Sequence, residues 1–234
     1  MKRSSELEMM DLPGQPRELL IQDLRNLRII NRYLGCYRTV LCGLACALKG
    51  QSTRGFTLLD VGTGNADIPA AIVDWARRRK LTAQISCLER EAITVEHAAR
   101  QTRRFPEIAI ARGDAVTPPF RSASFDFVLA SQLLHHFSNE QIVALLRSWA
   151  KLARRAIIVN DLVRHPLAYH GIRLLTKGFT RNIMTRTDAP LSVQRALTIE
   201  EWRAVFRQAN IGGFSVQWAW PFRMRGLIWL KSRS

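Results

Sequence analysis

Two glycines, Gly62 and Gly64, directly follow a continuous apolar run at residues 56–61. Glycine lets the backbone turn sharply and approach a ligand closely, and the helix predicted next presents unpaired N–H groups. A NAD site needs a small residue at the position that Asp67 occupies here. Asp60 and Asp67 would repel a pyrophosphate and attract an ammonium group. The turn therefore predicts a site for a ligand with an ammonium group, and a plain strand-to-helix turn is the alternative.

Two further acids, Glu89 and Asp114, follow the next two apolar runs, at residues 84–88 and 108–111. A carboxylate accepts two hydrogen bonds and therefore suits the two hydroxyls of a diol. The residues alone leave a second interpretation open, because an acid after a strand is often a solvated loop or turn residue.

His135 and His136 are adjacent and come shortly after the apolar run at residues 125–130. An imidazole titrates near neutral pH and could accept the proton of a phenol. The alternative is a structural ring that hydrogen-bonds the loop or stacks near a bound ligand. The pair therefore predicts either a general base or a structural role.

The four cysteines do not form a C-x-x-C pair; they are Cys36, Cys42, Cys46 and Cys87. No histidine lies near the first three in sequence, so we expect free thiols in a reducing cytosol rather than a zinc site. The N-terminus lacks the apolar region of a signal peptide. The longest apolar run, residues 40–48, is shorter than the roughly 20 residues of a membrane span. We therefore expect a soluble, cytoplasmic protein.

Apolar strands alternate with amphipathic helices from residue 56 onward. Strands are predicted at residues 56–61, 84–88, 108–111, 125–130 and 156–159, with a terminal hairpin at 214–220 and 227–231. Helices are predicted at 67–80 and 92–104, and two more begin at the capping boxes Ser138/Gln141 and Thr198/Glu201. This alternation is typical of a doubly wound α/β sheet covered on both faces. Ligands bind at the carboxyl ends of such strands, where the residues above lie.

The chain before this alternation has a different pattern. Residues 1–16 are polar and end in a Pro/Gly pair, so we predict a loose tail. Apolar residues recur with helical spacing over residues 17–49, and Gly35 predicts a break between two helices. We therefore divide the chain into an N-terminal tail and helical cap, residues 1–54, and a main domain, residues 55–234, with 162–197 as an insertion.

The segment Asp60-Val61-Gly62-Thr63-Gly64-Asn65-Ala66 resembles the first motif of class I S-adenosylmethionine-dependent methyltransferases, an acid followed by x-G-x-G-x-G. Ala66 replaces the third glycine. Residues at 89, 113–115 and 125–131 resemble the later motifs in order, so the resemblance covers about residues 55–160. It implies a Rossmann-like, seven-stranded sheet whose last strand is antiparallel, with S-adenosyl-L-methionine as cofactor.

The resemblance also implies which residues hold the cofactor. Glu89 would bind both ribose hydroxyls, Asp114 would accept from the adenine amino group, and the backbone of Ala115 would face the ring. The full implied set is Asp60, Gly62, Thr63, Gly64, Asn65, Glu89, Arg90, Asp114, Ala115 and Ser131.

The residues after the fourth strand indicate the acceptor. Family members that methylate DNA adenine or protein glutamine carry Asn/Asp-Pro-Pro-Tyr there, whereas this chain has Ser131-Gln132-Leu133-Leu134. The Leu-x-His pattern is instead similar to small-molecule enzymes, including the ubiquinone/menaquinone methyltransferase branch. The resemblance implies O-methylation of a small aromatic, quinone-like or polyketide acceptor, with His136 as general base and His135 as the fallback.

In this family the segment after the fifth strand and the N-terminal helices commonly cover the substrate. Residues 162–197 mix apolar residues with arginines, which suggests an apolar acceptor with an anionic group. For half or more of these arginines, a solvated helix face is the alternative. The arginines are Arg164, Arg173, Arg181, Arg186 and Arg195. Asn160-Asp161 is similar to the metal-binding acids of catechol-type enzymes, but Ser131 replaces their first acid, so we expect no metal.

The formal net charge is +16, carried by 29 arginines and 6 lysines against 19 acids. A positive charge of this size attracts anions of every kind, so an RNA methyltransferase is the alternative function. Peripheral contact with anionic surfaces is also compatible with this charge. The basic residues are spread along the chain without an added RNA-binding module, so we expect no specific nucleic-acid partner. A scaffold that binds the cofactor without an acceptor is a third hypothesis. The sequence does not indicate an oligomeric state.

Overall fold

The computed structural model describes residues 1–50 and 53–231, which form seven strands and eight α-helices. The strands are β1 Gly55–Val61, β2 Thr82–Glu89, β3 Ile108–Arg112, β4 Phe125–Ser131, β5 Ala153–Leu162, β6 Gly212–Ala219 and β7 Arg223–Leu230. The helices are α1 Arg17–Tyr33, α2 Cys36–Leu48, α3 Asp67–Arg78, α4 Ala92–Gln101, α5 Asn139–Leu152, α6 Pro166–Phe179, α7 Ile183–Arg195 and α8 Ile199–Ala209.

The strands form one sheet in the order β3-β2-β1-β4-β5-β7-β6. Strands β1 to β5 are parallel, and β7 runs antiparallel between β5 and β6. This arrangement confirms the predicted doubly wound sheet with an antiparallel last strand. The chain order reverses between β1 and β4, and this reversal opens a crevice at the carboxyl ends of the strands.

Apolar side chains cover both faces of the sheet. On one face, α5 and α8 bury Trp149 and Trp202 completely. On the other face, α2 and α3 bury Leu44 and Ile72. Because the central strands are covered twice, β4 is buried at every position, which explains its continuous apolar sequence.

Both predicted capping boxes are present. The Ser138 hydroxyl accepts a hydrogen bond from Gln141 N, and the Gln141 side chain accepts from Ser138 N. Thr198 and Glu201 exchange the equivalent bonds at the start of α8. These local signals define helix starts because they satisfy N–H groups that would otherwise lack partners.

The last strand begins earlier than predicted. The terminal hairpin turns within three residues, 220–222, and β7 begins at Arg223 rather than at residue 227. Arg223 is 1% exposed and donates its Nε–H to Leu34 O at 2.6 Å, so a charged residue begins this buried strand. The insertion at 162–197 contains the two helices α6 and α7.

The prediction of a loose N-terminal tail is wrong. We call residues 1–16 the N-terminal segment, and it is fixed to the body at several positions. Arg3 donates to Phe137 O at 2.8 Å and to Asn139 Oδ1 at 2.9 Å. The two carboxylate oxygens of Asp188 accept from Met9 N and Met10 N at 2.9 and 3.0 Å. Polar composition suggested disorder, but the polar groups have partners far along the chain.

Within the described ranges, every helix is too short or too polar to span a lipid bilayer.

Replacing Asp188 with alanine is predicted to release the N-terminal segment. The change leaves two backbone N–H groups without acceptors, which should cost about 1–3 kcal/mol in free energy of unfolding. Hydrogen exchange at residues 9 and 10 should accelerate strongly. The exposed acid Glu200 provides the control, Glu200→Ala, which should leave exchange there unchanged. Equal exchange in the two variants would contradict the assigned anchor.

Candidate functional site

A cavity of about 630 Å³ lies at the carboxyl ends of the parallel strands, under the N-terminal segment and α1. Its volume falls within the range of small-molecule sites, about 300–1,000 Å³. Of the residues predicted from sequence, those in the cavity wall are Gly62, Thr63, Gly64, Asn65, Glu89, Arg90, Asp114, Ala115, Ser131, His135 and His136. The fold thus brings together residues from the ends of the first four predicted strands.

Backbone geometry at the β1 turn, residues 62–66, requires glycine at its start. Gly62 has φ +66°, and an added Cβ would lie 2.8 Å from Leu133 Cδ1. Gly62 N and Thr63 N donate to Leu88 O, which joins the turn to β2. Ala66 adopts φ 55° where the resembling motif has glycine, a left-handed conformation that costs an alanine about 1–2 kcal/mol.

Asp60 lies beneath the turn rather than in the cavity wall. Its carboxylate is 2% exposed and accepts a hydrogen bond from Thr63 Oγ1 at 2.6 Å. Burial, reinforced by the charges of Asp67 and Glu89, raises the pKa of Asp60 to about 7. The predicted direct contact between Asp60 and a ligand is therefore corrected to a role in holding Thr63.

Glu89 is fixed at the end of β2 by three backbone donors. Oε2 accepts from Gly64 N at 3.0 Å, and Oε1 accepts from Arg90 N at 2.8 Å and Glu91 N at 3.1 Å. Each carboxylate oxygen has further acceptor capacity for a ligand. The side chain therefore both holds the glycine turn and presents a charged acceptor to the cavity.

The adjoining walls are also held by hydrogen bonds. Asp114 Oδ1 accepts from Val116 N at 2.8 Å, and Ala115 O accepts from Trp149 Nε1 at 2.8 Å. At the end of β4, Ser131 Oγ accepts from Asn160 Nδ2 at 2.7 Å. These contacts fix the wall before any ligand binds.

His135 is 3% exposed and contacts two acids. Its Nδ1 lies 2.6 Å from Asp161 Oδ1, and its Nε2 lies 3.5 Å from Glu8 Oε1. Burial alone would lower the pKa of His135, but the negative charges of Asp161 and Glu8 raise it to about 10. The two acids favour the protonated imidazole, which is a poor general base. The fallback role given to His135 stays a prediction that this environment does not favour.

His136 lies beside it, with ring centroids 4.4 Å apart. Its Nδ1 is 2.7 Å from Asp11 Oδ2, and its Nε2 is 3.9 Å from Glu8 Oε2. His136 lines the cavity, and the general-base role predicted for it stays a prediction.

Sequence analysis missed Glu8 and Asp11, because both lie in the segment predicted to be loose. Glu8 is 2% exposed, and its pKa is lowered: burial opposes this shift, but the two histidines outweigh burial. The sequence gives no local signal for either acid, since their partners lie after β4. Asp161 was noted only for its similarity to metal-binding acids, and here it orients His135.

None of the five arginines of residues 162–197 lines the cavity. Arg164 donates to Ala196 O and Glu201, and Arg186 donates to Thr180 O and Lys177 O. Arg195 is buried and donates to His136 O at 2.9 Å. The cationic residues of the cavity wall are instead Arg90 and Arg112. The expectation that the insertion supplies arginines to an acceptor is therefore wrong for this arrangement.

A family model described as a methyltransferase domain matches residues 58–156. This span contains the turn after β1 and the ends of β2, β3 and β4, the same residues that line one side of the cavity. No curated protein matches the chain significantly in sequence.

Solved structures share the fold. Human N-acetylserotonin methyltransferase in complex with S-adenosylmethionine is similar with a TM-score of 0.67 and 16% identity, over 99% of this chain and 63% of that one. The CurJ carbon methyltransferase is similar with a TM-score of 0.60 and 15% identity, over 83% of this chain and 54% of that one. An S-adenosylmethionine-dependent methyltransferase from Aquifex aeolicus is similar with a TM-score of 0.61 and 11% identity. The match covers 90% of this chain and 98% of that one. The chain spans less than two thirds of the length of the first two.

The cavity wall fits this cofactor. Asn65 Oδ1 is buried and has no donor among the described residues, so it can accept from an ammonium group. A Cβ added at Gly64 would meet no atom within 4 Å, so a ligand can approach the backbone there. The fixed carboxylate of Glu89 suits a ribose diol. The family model and these strand-end residues agree: residues 58–156 match a methyltransferase domain, the solved structures share its fold, and the cavity has the residues to hold S-adenosylmethionine.

Proposed function

We propose that the protein methylates a small aromatic, quinone-like or polyketide acceptor, at oxygen. The observation that carries this proposal is the closure of one end of the cavity by the chain's own N-terminal segment. Glu8, Met10 and Asp11 form the wall there, next to His135 and His136. A cavity of this size with one covered end suits a small molecule better than a polymer.

Apolar side chains line the wall beside the closed end. They come from the N-terminal segment, α1, the end of β5 and α7, and they are Met10, Leu12, Leu20, Leu24, Leu27, Leu162 and Ala189. An aromatic or polyketide acceptor would bury its apolar surface against them. The wall contributed by residues 162–197 supports the substrate-covering role proposed for that insertion.

S-adenosylmethionine supplies an electrophilic methyl group when it is bound. This chain has three tasks: to hold the acceptor in line with that group, to exclude water and to allow an acceptor hydroxyl to lose its proton. Glu89, Asn65 and Asp114 would hold the cofactor's ribose, ammonium and adenine groups. The N-terminal segment would exclude water, and the histidine end of the cavity would receive the acceptor hydroxyl.

The net charge of +16 favours the alternative, an RNA methyltransferase. Several basic residues have partners within the protein, however. Arg77 pairs with Glu107 at 2.8 Å, and Arg154 pairs with Asp126 at 3.2 Å. We therefore propose that contact with nucleic acid is non-specific and depends on salt.

The acceptor class is tested by methyl transfer from isotope-labelled cofactor to a panel of phenols, hydroxyquinones and enols, with total RNA as a parallel substrate. We expect label in small molecules, undiminished at about 150 mM salt, and no label in RNA, because electrostatic RNA binding weakens steeply with salt. Label in RNA at that salt, with none in the small molecules, would replace this proposal with the alternative. Label at carbon or nitrogen would keep the small-molecule class and correct the atom.

Substituting Glu89 is predicted to weaken cofactor binding without abolishing folding. Glu89→Ala should cost about 1–3 kcal/mol of binding free energy for S-adenosylhomocysteine, because the ribose hydroxyls lose their acceptor. Glu89→Gln should lose less, since its amide oxygen can still accept from Gly64 N. Calorimetry on both variants and on the exposed control Glu200→Gln measures the difference. The ribose assignment fails if Glu89→Ala binds as tightly as the control.

His136→Ala is predicted to lower turnover by about 10²-fold or more while leaving cofactor affinity nearly unchanged. The reason is position: His136 lies at the acceptor end of the cavity, away from Glu89 and Asp114. His170→Ala changes an exposed histidine outside the cavity and is the matched control. A parallel loss of cofactor affinity and turnover in His136→Ala would place this ring with the cofactor instead.

A further inference from the structure

Three potential ligand atoms converge at the closed end of the cavity. They are one imidazole nitrogen each of His135 and His136 and a carboxylate oxygen of Glu8, and all lie within 4.8 Å of one another. We call these residues the Glu8–His135–His136 cluster. All three residues also line the cavity.

Both imidazoles are oriented by a second carboxylate. Asp161 holds Nδ1 of His135 at 2.6 Å, and Asp11 holds Nδ1 of His136 at 2.7 Å. A carboxylate bound to Nδ1 fixes a histidine with Nε2 as its available ligand atom, and this is the arrangement in which proteins present histidine to a metal ion. Two adjacent histidines oriented in this way by acids from different elements form a built site.

The spacing of the ligand atoms suits an ion between them. Glu8 Oε1 lies 3.5 Å from His135 Nε2, and Glu8 Oε2 lies 3.9 Å from His136 Nε2. Both distances are longer than those of ordinary hydrogen bonds. Neighbouring ligands around a tetrahedral ion with bonds of 2.0–2.1 Å are roughly 3.3 Å apart. His135 Nε2 is buried and has no hydrogen-bond partner among the described residues, although it points to the cluster.

The charge around the cluster also favours a cation. The acids Glu8, Asp11 and Asp161 surround the two rings. Two guanidiniums lie nearby: Arg195, 3.9 Å from Glu8, and Arg3, whose Nη2 donates to His135 O at 3.4 Å. Arg195 also donates its Nε–H to His135 O at 3.4 Å and its Nη2–H to His136 O at 2.9 Å. The three carboxylates outnumber the two guanidiniums, and a bound cation would offset the difference.

We propose that the Glu8–His135–His136 cluster binds one divalent transition-metal ion of the zinc type. Three protein ligands leave one coordination position open, as in sites where a metal acts on a substrate. That position faces the cavity, where water or an acceptor oxygen completes the coordination. The link to an acceptor rests on the proposed function, whereas metal binding itself does not.

This proposal departs from the sequence-based expectation of no metal. That expectation rests on the cysteines and on the Asn160-Asp161 pair. The proposed ligands are instead one residue of the N-terminal segment and two residues after β4. With an ion present, His136 supplies Nε2 to the metal, so its loss would lower turnover through the ion. Measuring zinc binding separates this role of His136 from that of a general base, because it does not depend on methyl transfer.

Zinc binding to the untagged full chain tests the proposal. The protein carries Cys42→Ser and Cys46→Ser, because these two exposed thiols could bind zinc independently. After treatment with a chelator, the chain is titrated with zinc against a chromophoric competitor. We expect one zinc ion per chain with submicromolar affinity, and a higher Tm in the presence of zinc. Cobalt should give the visible absorption of a four-coordinate ion.

Variants locate the ion. Glu8→Gln and His136→Ala should lose the high-affinity site, and the positioning variant Asp11→Asn should bind zinc roughly 10- to 100-fold more weakly. His170→Ala should bind as the parent does. Circular dichroism and S-adenosylhomocysteine binding show that each variant is folded, and neither readout requires methyl transfer. Failure of the parent to bind zinc with submicromolar affinity, or equal zinc affinity in Glu8→Gln and His170→Ala, would overturn the proposal.

Discussion

The contact between Asp161 and His135 determines how the histidine end of the cavity is assembled. It joins the end of β5 to the loop after β4 at 2.6 Å, within the apolar interior. The opposite side of the same ring faces Glu8, and Arg195 links the peptide carbonyls of the histidines to α7. Burying these charges is favourable only if each has a partner, so the N-terminal segment must close over the site.

This constraint separates the two ends of the cavity. The cofactor end is built from the strand-end backbone and Glu89, which are held within the sheet and its first loops. The opposite end is built from side chains of the N-terminal segment, α7 and the loop after β4. One fold can therefore keep the cofactor end constant while the other end changes with the acceptor.

Much of the sheet and of the cofactor end could be predicted from sequence, because their signals are local. Residues 56–61 and 125–130 read as buried strands, and the structure places them at the centre of the sheet as β1 and β4. Glu89 and Asp114 could be identified because each directly follows a strand, and parallel strands end at one edge. The capping boxes at Ser138 and Thr198 are equally local and were read correctly.

The histidine end of the cavity could not be predicted in the same way, because its contacts join distant parts of the chain. Glu8 looked like a solvated acid in a polar tail, and only its meeting with His135 explains its burial. Asp60 fits the family motif but lies under the turn, where its carboxylate accepts a hydrogen bond from the Thr63 hydroxyl. The position of Arg195 in the sequence is compatible with a solvated surface cation, yet the side chain is 4% exposed, because backbone carbonyls from two segments, Glu6 and residues 135–136, converge on it.

The way the N-terminal segment is fastened has a consequence for the evolution of the protein. Asp188 binds the N–H groups of Met9 and Met10, Arg195 binds the carbonyl of Glu6, and Gln194 O accepts from Ser4 N. The body thus recognises the path of the backbone there, while the side chains of Ser5, Glu6 and Leu7 are exposed. Substitutions at these three positions should accumulate with little selection against them, whereas Glu8 is constrained by its charge.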